Sequence, residues 1–264
     1  MERNITNNLL SSPYRDETPH CARHQIGALI HENWLVFSAL YEGLSIKEVR
    51  QKASDGILFP QKARTTRERF WEVIQYRYLS RPEWVIADIC SAAKLGERDS
   101  DFLQMLQIHY ILRDSLTSRL IQDYIWNRWE NQDLQISKAD LMVAIQHFGV
   151  GHTRIERLTE NSLNLLAQMI LTSLRDFGLF EGKVKKSLVK PIVSLQVVSH
   201  LLRILIQEGY GGDTIINNPT WRMFLMTPED VSHQLHLLSQ QGTIQFERTG
   251  TTSILITPKS WLEG

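Results

Sequence analysis

The sequence predicts a mainly α, multi-helical protein with helix-turn-helix elements and a small C-terminal β-hairpin of the winged-helix type. Three observations lead there. Apolar residues recur at helical spacing, as in Ile30, Trp34, Phe37 and Tyr41 and again in Leu163, Leu166, Ile170 and Leu174. Helix-start signals stand between these stripes, notably Ser45-Ile46-Lys47-Glu48, Ser137 to Asp140, and Thr227-Pro228-Glu229-Asp230. Near the C-terminus, two β-branched runs, Thr243 to Glu247 and Thr252 to Thr257, bracket a turn at Arg248-Thr249-Gly250.

Taken in chain order, Met1 to Thr18 is polar and reads as a loose arm. The first helical stripe, from Leu29, ends at Glu42-Gly43, and Ser45 starts a short second helix. Asp55-Gly56 and Pro60 interrupt the chain before a long basic helix that runs to Leu79. Ser80-Arg81-Pro82-Glu83 has the form of another capping box, and its helix stops at Gly96. A long amphipathic segment from Ile108 to Trp129 is expected to bend near Asp114-Ser115. The helix started by Ser137 stops at Gly149, and the stripe from Leu163 to Phe177 ends at Gly178 in the favoured post-helix position. Gly182 to Pro191 reads as a short cationic linker, followed by helices from Ser194 to Gln207 and from Thr227 to Gln241. This gives a polar arm (1–28), an N-terminal helical region with a helix-turn-helix (29–148) and a C-terminal helical and winged region (149–264).

Composition narrows the function classes. The chain has 264 residues, 29 basic and 29 acidic, so a partner must be attracted by local patches instead of by the overall field. Two cysteines, Cys21 and Cys90, are too few for a disulfide framework and suit a reducing compartment, so a cytoplasmic protein is expected. The apolar runs are too short to span a bilayer, and no membrane partner is expected.

The segment after Pro60 is the leading functional candidate. It carries Lys62, Arg64, Arg67, Arg69, Arg77 and Arg81 against Glu68 and Glu72, downstream of a short helix, which is the outline of a helix-turn-helix nucleic-acid reader. Thr65 and Thr66 add hydroxyls near the helix start, and Arg64 and Arg67, three apart, are expected to share an outward face. The bland alternative is a solvated helix face. A second cluster, Lys183, Lys185, Lys186 and Lys190, reads either as a phosphate clamp or as a hydrated tether. His20, Cys21 and His24 lie close together, as do His233 and His236, but neither group has the further ligands a metal site needs, so no metal and no cofactor are expected. Phosphate-binding loops, dinucleotide fingerprints, nucleophile elbows and zinc-protease motifs are all lacking, which argues for a non-enzymatic role. Asp99 and Asp101 form a small acidic pair that a helix start explains as well as a metal does.

These residues also support a resemblance. Tyr41-Glu42-Gly43-Leu44-Ser45, Ile57-Leu58, Arg64-Thr65-Thr66 with Arg69, and Tyr78-Leu79 resemble the A subunit of the BREX phage-exclusion system. A second block, Thr153-Arg154, Leu158, Leu171 to Leu174 and Arg175-Asp176-Phe177-Gly178-Leu179, is similar to the same family, over approximately residues 29–179. The resemblance implies a small helical protein that binds double-stranded DNA through helix-turn-helix elements in antiviral defence, beside a methyltransferase and other large subunits. It also implies likeness to helical antitermination folds, so RNA remains a possible partner. An adaptor that docks other BREX subunits is the competing expectation.

Overall fold

The computed structural model describes residues 12–19, 21–182, 186–250 and 252–262. The first helices are α1 (Cys21–His24), α2 (Ile30–Tyr41), α3 (Ile46–Ser54) and α4 (Arg64–Ile74), which continues as a π-helical turn, Gln75–Leu79. Then come α5 (Glu83–Ala93), α6 (Ser100–Leu112), α7 (Ser115–Arg119), a second π-helical stretch (Leu120–Ile125) and α8 (Trp126–Glu130). Strand β1 (Gln135–Ile136) precedes α9 (Lys138–Phe148), α10 (Thr153–Glu156) and α11 (Glu160–Asp176). Strands β2 (Phe180–Glu181) and β3 (Lys186–Leu188) lead to α12 (Leu195–Gln207), α13 (Asp213–Ile216) and a 3-10 turn, Pro219–Phe224. Helix α14 (Pro228–Gln240), the hairpin β4 (Gln245–Thr249) and β5 (Thr252–Ile256), and a last 3-10 turn (Lys259–Trp261) complete the order.

Local chemistry explains most boundaries. The side chains of Ser45, Ser137 and Thr227 each accept the amide of the third helical residue, whose carboxylate reaches back to the cap amide, so α3, α9 and α14 all begin with complete capping boxes. Asp114 breaks the long segment as expected, because its carboxylate accepts the Thr117 amide and starts α7. Asp99 likewise accepts the Asp101 amide as the cap of α6, which gives the acidic pair a structural role. The turn between α2 and α3 needs Gly43, at φ 96°, where a side chain would be strained. The box expected at Ser80 does not form. Ser80 closes the π-helical turn by donating its amide to the Gln75 carbonyl, and α5 starts after Pro82 without a side-chain cap.

Helix α6 is the axis of the molecule. Every residue from Gln104 to Leu112 is buried, enclosed by α5, α7, α12 and the π-helical turn after α4. A helix buried on all sides must satisfy its polar groups internally. Gln104 donates to the Ile192 carbonyl and Gln107 to the Met223 carbonyl, both at 2.8 Å. The Nε2 atoms of His109 and His200 lie 3.0 Å apart, and His200 Nδ1 donates to Asp88 Oδ2 at 2.7 Å. One contiguous apolar core therefore links residues on both sides of position 149.

Two further sequence expectations change. Within the segment expected to be a cationic linker, β3 is the middle strand of a small antiparallel sheet in the order β1-β3-β2, with Lys186 opposite Ile136 and Leu188 buried opposite Phe180. The arm expected to be loose is docked from Ser12 onward. Tyr14 is buried and bonds Gln207, and Arg15 grips Glu208 with both carboxylate oxygens engaged at 2.7 Å. The Asp16 amide donates to the Leu112 carbonyl, and its carboxylate accepts from Tyr76. This strap thus ties α12, α6 and the turn after α4 together.

Candidate nucleic-acid interface

Helix α4 starts at Arg64 after Ala63, which offers no side-chain cap. The first-turn amides are left to solvent, unlike those of α3, α9 and α14, and they give this end a partial positive charge. Arg64 is 79% exposed and its Nε lies 3.0 Å from Glu68 four residues on. Thr65 and Arg69 are exposed, while Thr66 is half-buried. Lys62, in the preceding loop, lies 3.8 Å from Glu32 and 5.5 Å above the Phe70 ring.

The basic run does not act as one face. Arg67, expected to point outward beside Arg64, turns in to donate from Nε to the Ser54 carbonyl (3.1 Å) and from Nη1 to the Lys62 carbonyl (2.8 Å). It holds the end of α3 and the loop against α4, and Gly56 makes room for it: a Cβ there would stand 3.0 Å from Arg67 Nη1. Arg77 is fully buried, donating to the Gly27 and Arg23 carbonyls and lying 4.6 Å above the Tyr110 ring. Arg81 donates to the Pro13 and Tyr76 carbonyls, and burial pushes its guanidinium down to about 10. Of the six cations, Lys62, Arg64 and Arg69 remain at the surface of this unit.

Helix α4 lies between two clefts. One, of about 240 Å³ on the α3 side, is lined by Arg50, Ser54, Arg67, Glu68, Trp71 and Glu72. On the other side, Arg69 borders two adjoining hollows of about 440 and 360 Å³ that run along the Arg23 to Ile26 segment. Arg50 and Lys47 on α3 are exposed cations that the reading of the basic run overlooked, although their i, i+3 spacing in the preceding short helix was the available signal.

The second cluster lies elsewhere. Lys183 and Lys185 fall outside the described residues. Lys186 is in β3, where burial and then the nearby Arg175 hold its ammonium below the usual lysine range. Lys190 is paired with Asp230 at 2.6 Å, against the start of α14. Neither joins the α4 surface. The exposed face of α14 shows Glu229, His233, His236 and Gln240. His24 is buried, with its ring edge-on to Tyr110. No helix among the described residues is long and apolar enough to cross a membrane.

No curated protein matches the chain. The family model BrxA, however, matches residues 24–204. That range takes in α2 to α4, the buried axis α6 and most of α12, and it is well over half of the chain. The protein therefore belongs to the BrxA family, the A subunit of the BREX phage-defence system.

Proposed function

We propose that this BREX component is a non-enzymatic, cytoplasmic binder of double-stranded DNA, with little sequence preference, acting through the helix-turn-helix formed by α3 and α4. The observation that supports this most is the start of α4: an uncapped helix end, open to solvent, with Arg64, Thr65, Arg69 and Lys62 around it. Phosphate oxygens are what amides, hydroxyls and guanidinium groups at such an end recognise together, whatever the base sequence. The order of α12, α13, α14 and the hairpin fits a winged helix, but the exposed face of α14 lacks lysine and arginine, so α4 is the better phosphate contact.

Duplex binding measured against salt tests the reading. If about four phosphates are neutralised, log affinity should fall with log salt at a slope of about −3.6. Replacing Arg64 and Arg69 together with alanine should weaken all sequences equally and make the slope shallower. Binding that ignores salt, or a double variant that binds as the parent does, would sink the proposal.

A second reading, docking of another subunit of the defence complex, draws on exposed apolar side chains along α9 and the following turn, where Val143 and Val150 are 66% and 74% exposed. Loss of subunit recovery on Val143→Ser and Val150→Ser, with DNA affinity unchanged, would favour it. RNA binding of the antitermination type is a further outcome, read from the same titration with RNA.

A further inference from the structure

Beyond its first turn, the crest of α4 is a poor place for phosphates. Arg64, Glu68 and Glu72 follow one another at four-residue spacing, so two carboxylates stand where the helix projects farthest. Glu68 already engages Arg64, and Glu72 borders the clefts on both sides of the helix. Any phosphodiester laid on this crest would meet like charge. The cations that could hold it lie lower, on the two flanks.

On the α3 flank the cleft presents Arg50, exposed and projecting from a different helix, above the half-bound guanidinium of Arg67. On the opposite flank Arg69 and Arg23 line the same hollow, and Gln25, Thr65 and Thr66 line its continuation. Arg23 is held flat, with its guanidinium carbon 3.8 Å above the Tyr76 ring, so little side-chain freedom remains to be lost on binding. Of the other α4 residues that line the clefts, 67 and 71 lie on the first side of the crest and 65, 66, 69 and 73 on the second.

A helix standing between two cationic clefts matches the cross-section of a major groove, which is about 12 Å wide and admits one α-helix between its two phosphate walls. We propose that α4 lies in the major groove of duplex DNA with one strand's backbone held in the α3-side cleft by Arg50 and the other strand's in the opposite cleft by Arg23 and Arg69. This rests on the duplex-binding reading above and adds two phosphate-binding residues, Arg50 and Arg23, on helices other than α4. The acidic crest then faces the floor of the groove, away from both phosphate walls.

The test is an anisotropy titration of the full chain with a labelled DNA duplex of about two helical turns, the corresponding single strand and an RNA duplex, at several salt concentrations. Arg50→Ala and Arg23→Gln should each lower duplex affinity about tenfold. Together they should lower it about a hundredfold, because separate sites add. Each should also make the salt slope shallower by about 0.9. On a single strand, either variant alone should cost at most about twofold, since the strand can use the remaining cleft, and only the pair should abolish binding. If Arg23→Gln melts early, Arg69→Gln takes its place, because that side chain is exposed and lines the same hollow.

The straddle is overturned, and simple duplex binding stands, if Arg50→Ala or both variants of the opposite cleft keep parental affinity while Arg64→Ala weakens it. Equal losses on duplex and single strand overturn it as well. So does equal binding of the RNA duplex, whose deep, narrow major groove cannot take a helix. If the parent binds no duplex at all, the underlying reading fails with it.

Discussion

Arg77 belongs to the basic run, yet its replacement should damage the fold and not a binding surface. The side chain is 1% exposed and its guanidinium donates to two main-chain carbonyls, Gly27 at 2.7 Å and Arg23 at 2.8 Å, while lying over the Tyr110 ring. Arg77→Ala removes two charge-assisted hydrogen bonds, takes the side-chain donor from the Gly27 carbonyl while the Arg23 carbonyl keeps the Ile26 amide, and leaves a hole the size of a long side chain. Hydrogen bonds to charged groups contribute about 1.5–3 kcal/mol each. The relief of no longer burying a charge offsets part of that, so a net loss of about 3–5 kcal/mol is expected, as for other broken buried charge contacts. At roughly 2–4 °C per kcal/mol for a chain of this size, Tm should fall by about 6–20 °C. Arg77→Met, which fills the space without stranding a charge, should lose about half as much. Urea denaturation checks both, and the folded fraction of Arg77→Met should bind DNA with parental affinity and salt slope. An Arg77→Ala protein as stable as the parent, or a stable Arg77→Met that no longer binds DNA, would refute the reasoning.

The strap gives a second prediction: Arg15→Ala leaves Glu208, whose side chain is only 6% exposed, without its bidentate partner. Because Arg15 is itself a fifth exposed, the loss should fall near the low end for buried pairs, about 2–3 kcal/mol in urea denaturation, and a change below about 0.5 would mean the strap is not docked there. A third concerns acid. Burial, then His200, Arg81 and Arg113, hold the His109 pKa well below its usual value. The unfolded chain therefore takes up a proton near pH 6.5 that the folded chain refuses, so this part of the stability is complete above about pH 6.5 and lost progressively below it. Urea midpoints followed from about pH 7.5 down to 5 should fall for the parent and less for His109→Gln, which keeps a donor toward His200; parallel curves would dismiss His109 as the cause.

How much of this was legible depended on the distance over which each signal acts. The capping boxes at Ser45, Ser137 and Thr227, the break at Asp114 and the C-terminal hairpin involve neighbours within a few residues, and all are present in the structure. The sheet β1-β3-β2 escaped because strands of two or three residues have no period to detect. The docked arm escaped because Arg15 meets its partner Glu208 across 193 positions, a separation no local pattern reports. The basic run was partly readable. Arg67 and Arg77 share the buried stripe of Trp71, Ile74 and Tyr78, four or three residues away, and their inward turn follows from that spacing.

That sorting changes what the charge of this chain can do. A run of six cations suggests a broad electrostatic surface, but three of them are bound to main-chain carbonyls, and Arg64 and Lys62 stand near Glu68 and Glu32. In a chain with no net charge, such a surface attracts a polyanion only through well-placed groups, not through a general field. Placement is what α3, α4 and the Arg23 segment supply: an uncapped helix start, a projecting crest, and exposed arginines on both flanks. The α14 region pairs its nearby lysine, Lys190, with the acid that caps its own helix, and leaves Glu229 and two histidines outward. If both regions touched DNA, the α14 face would do so without any lysine or arginine of its own. On the proposed duplex-binding reading, phosphate contact therefore belongs with α3 and α4, and the C-terminal region is freer to serve shape or partner contacts.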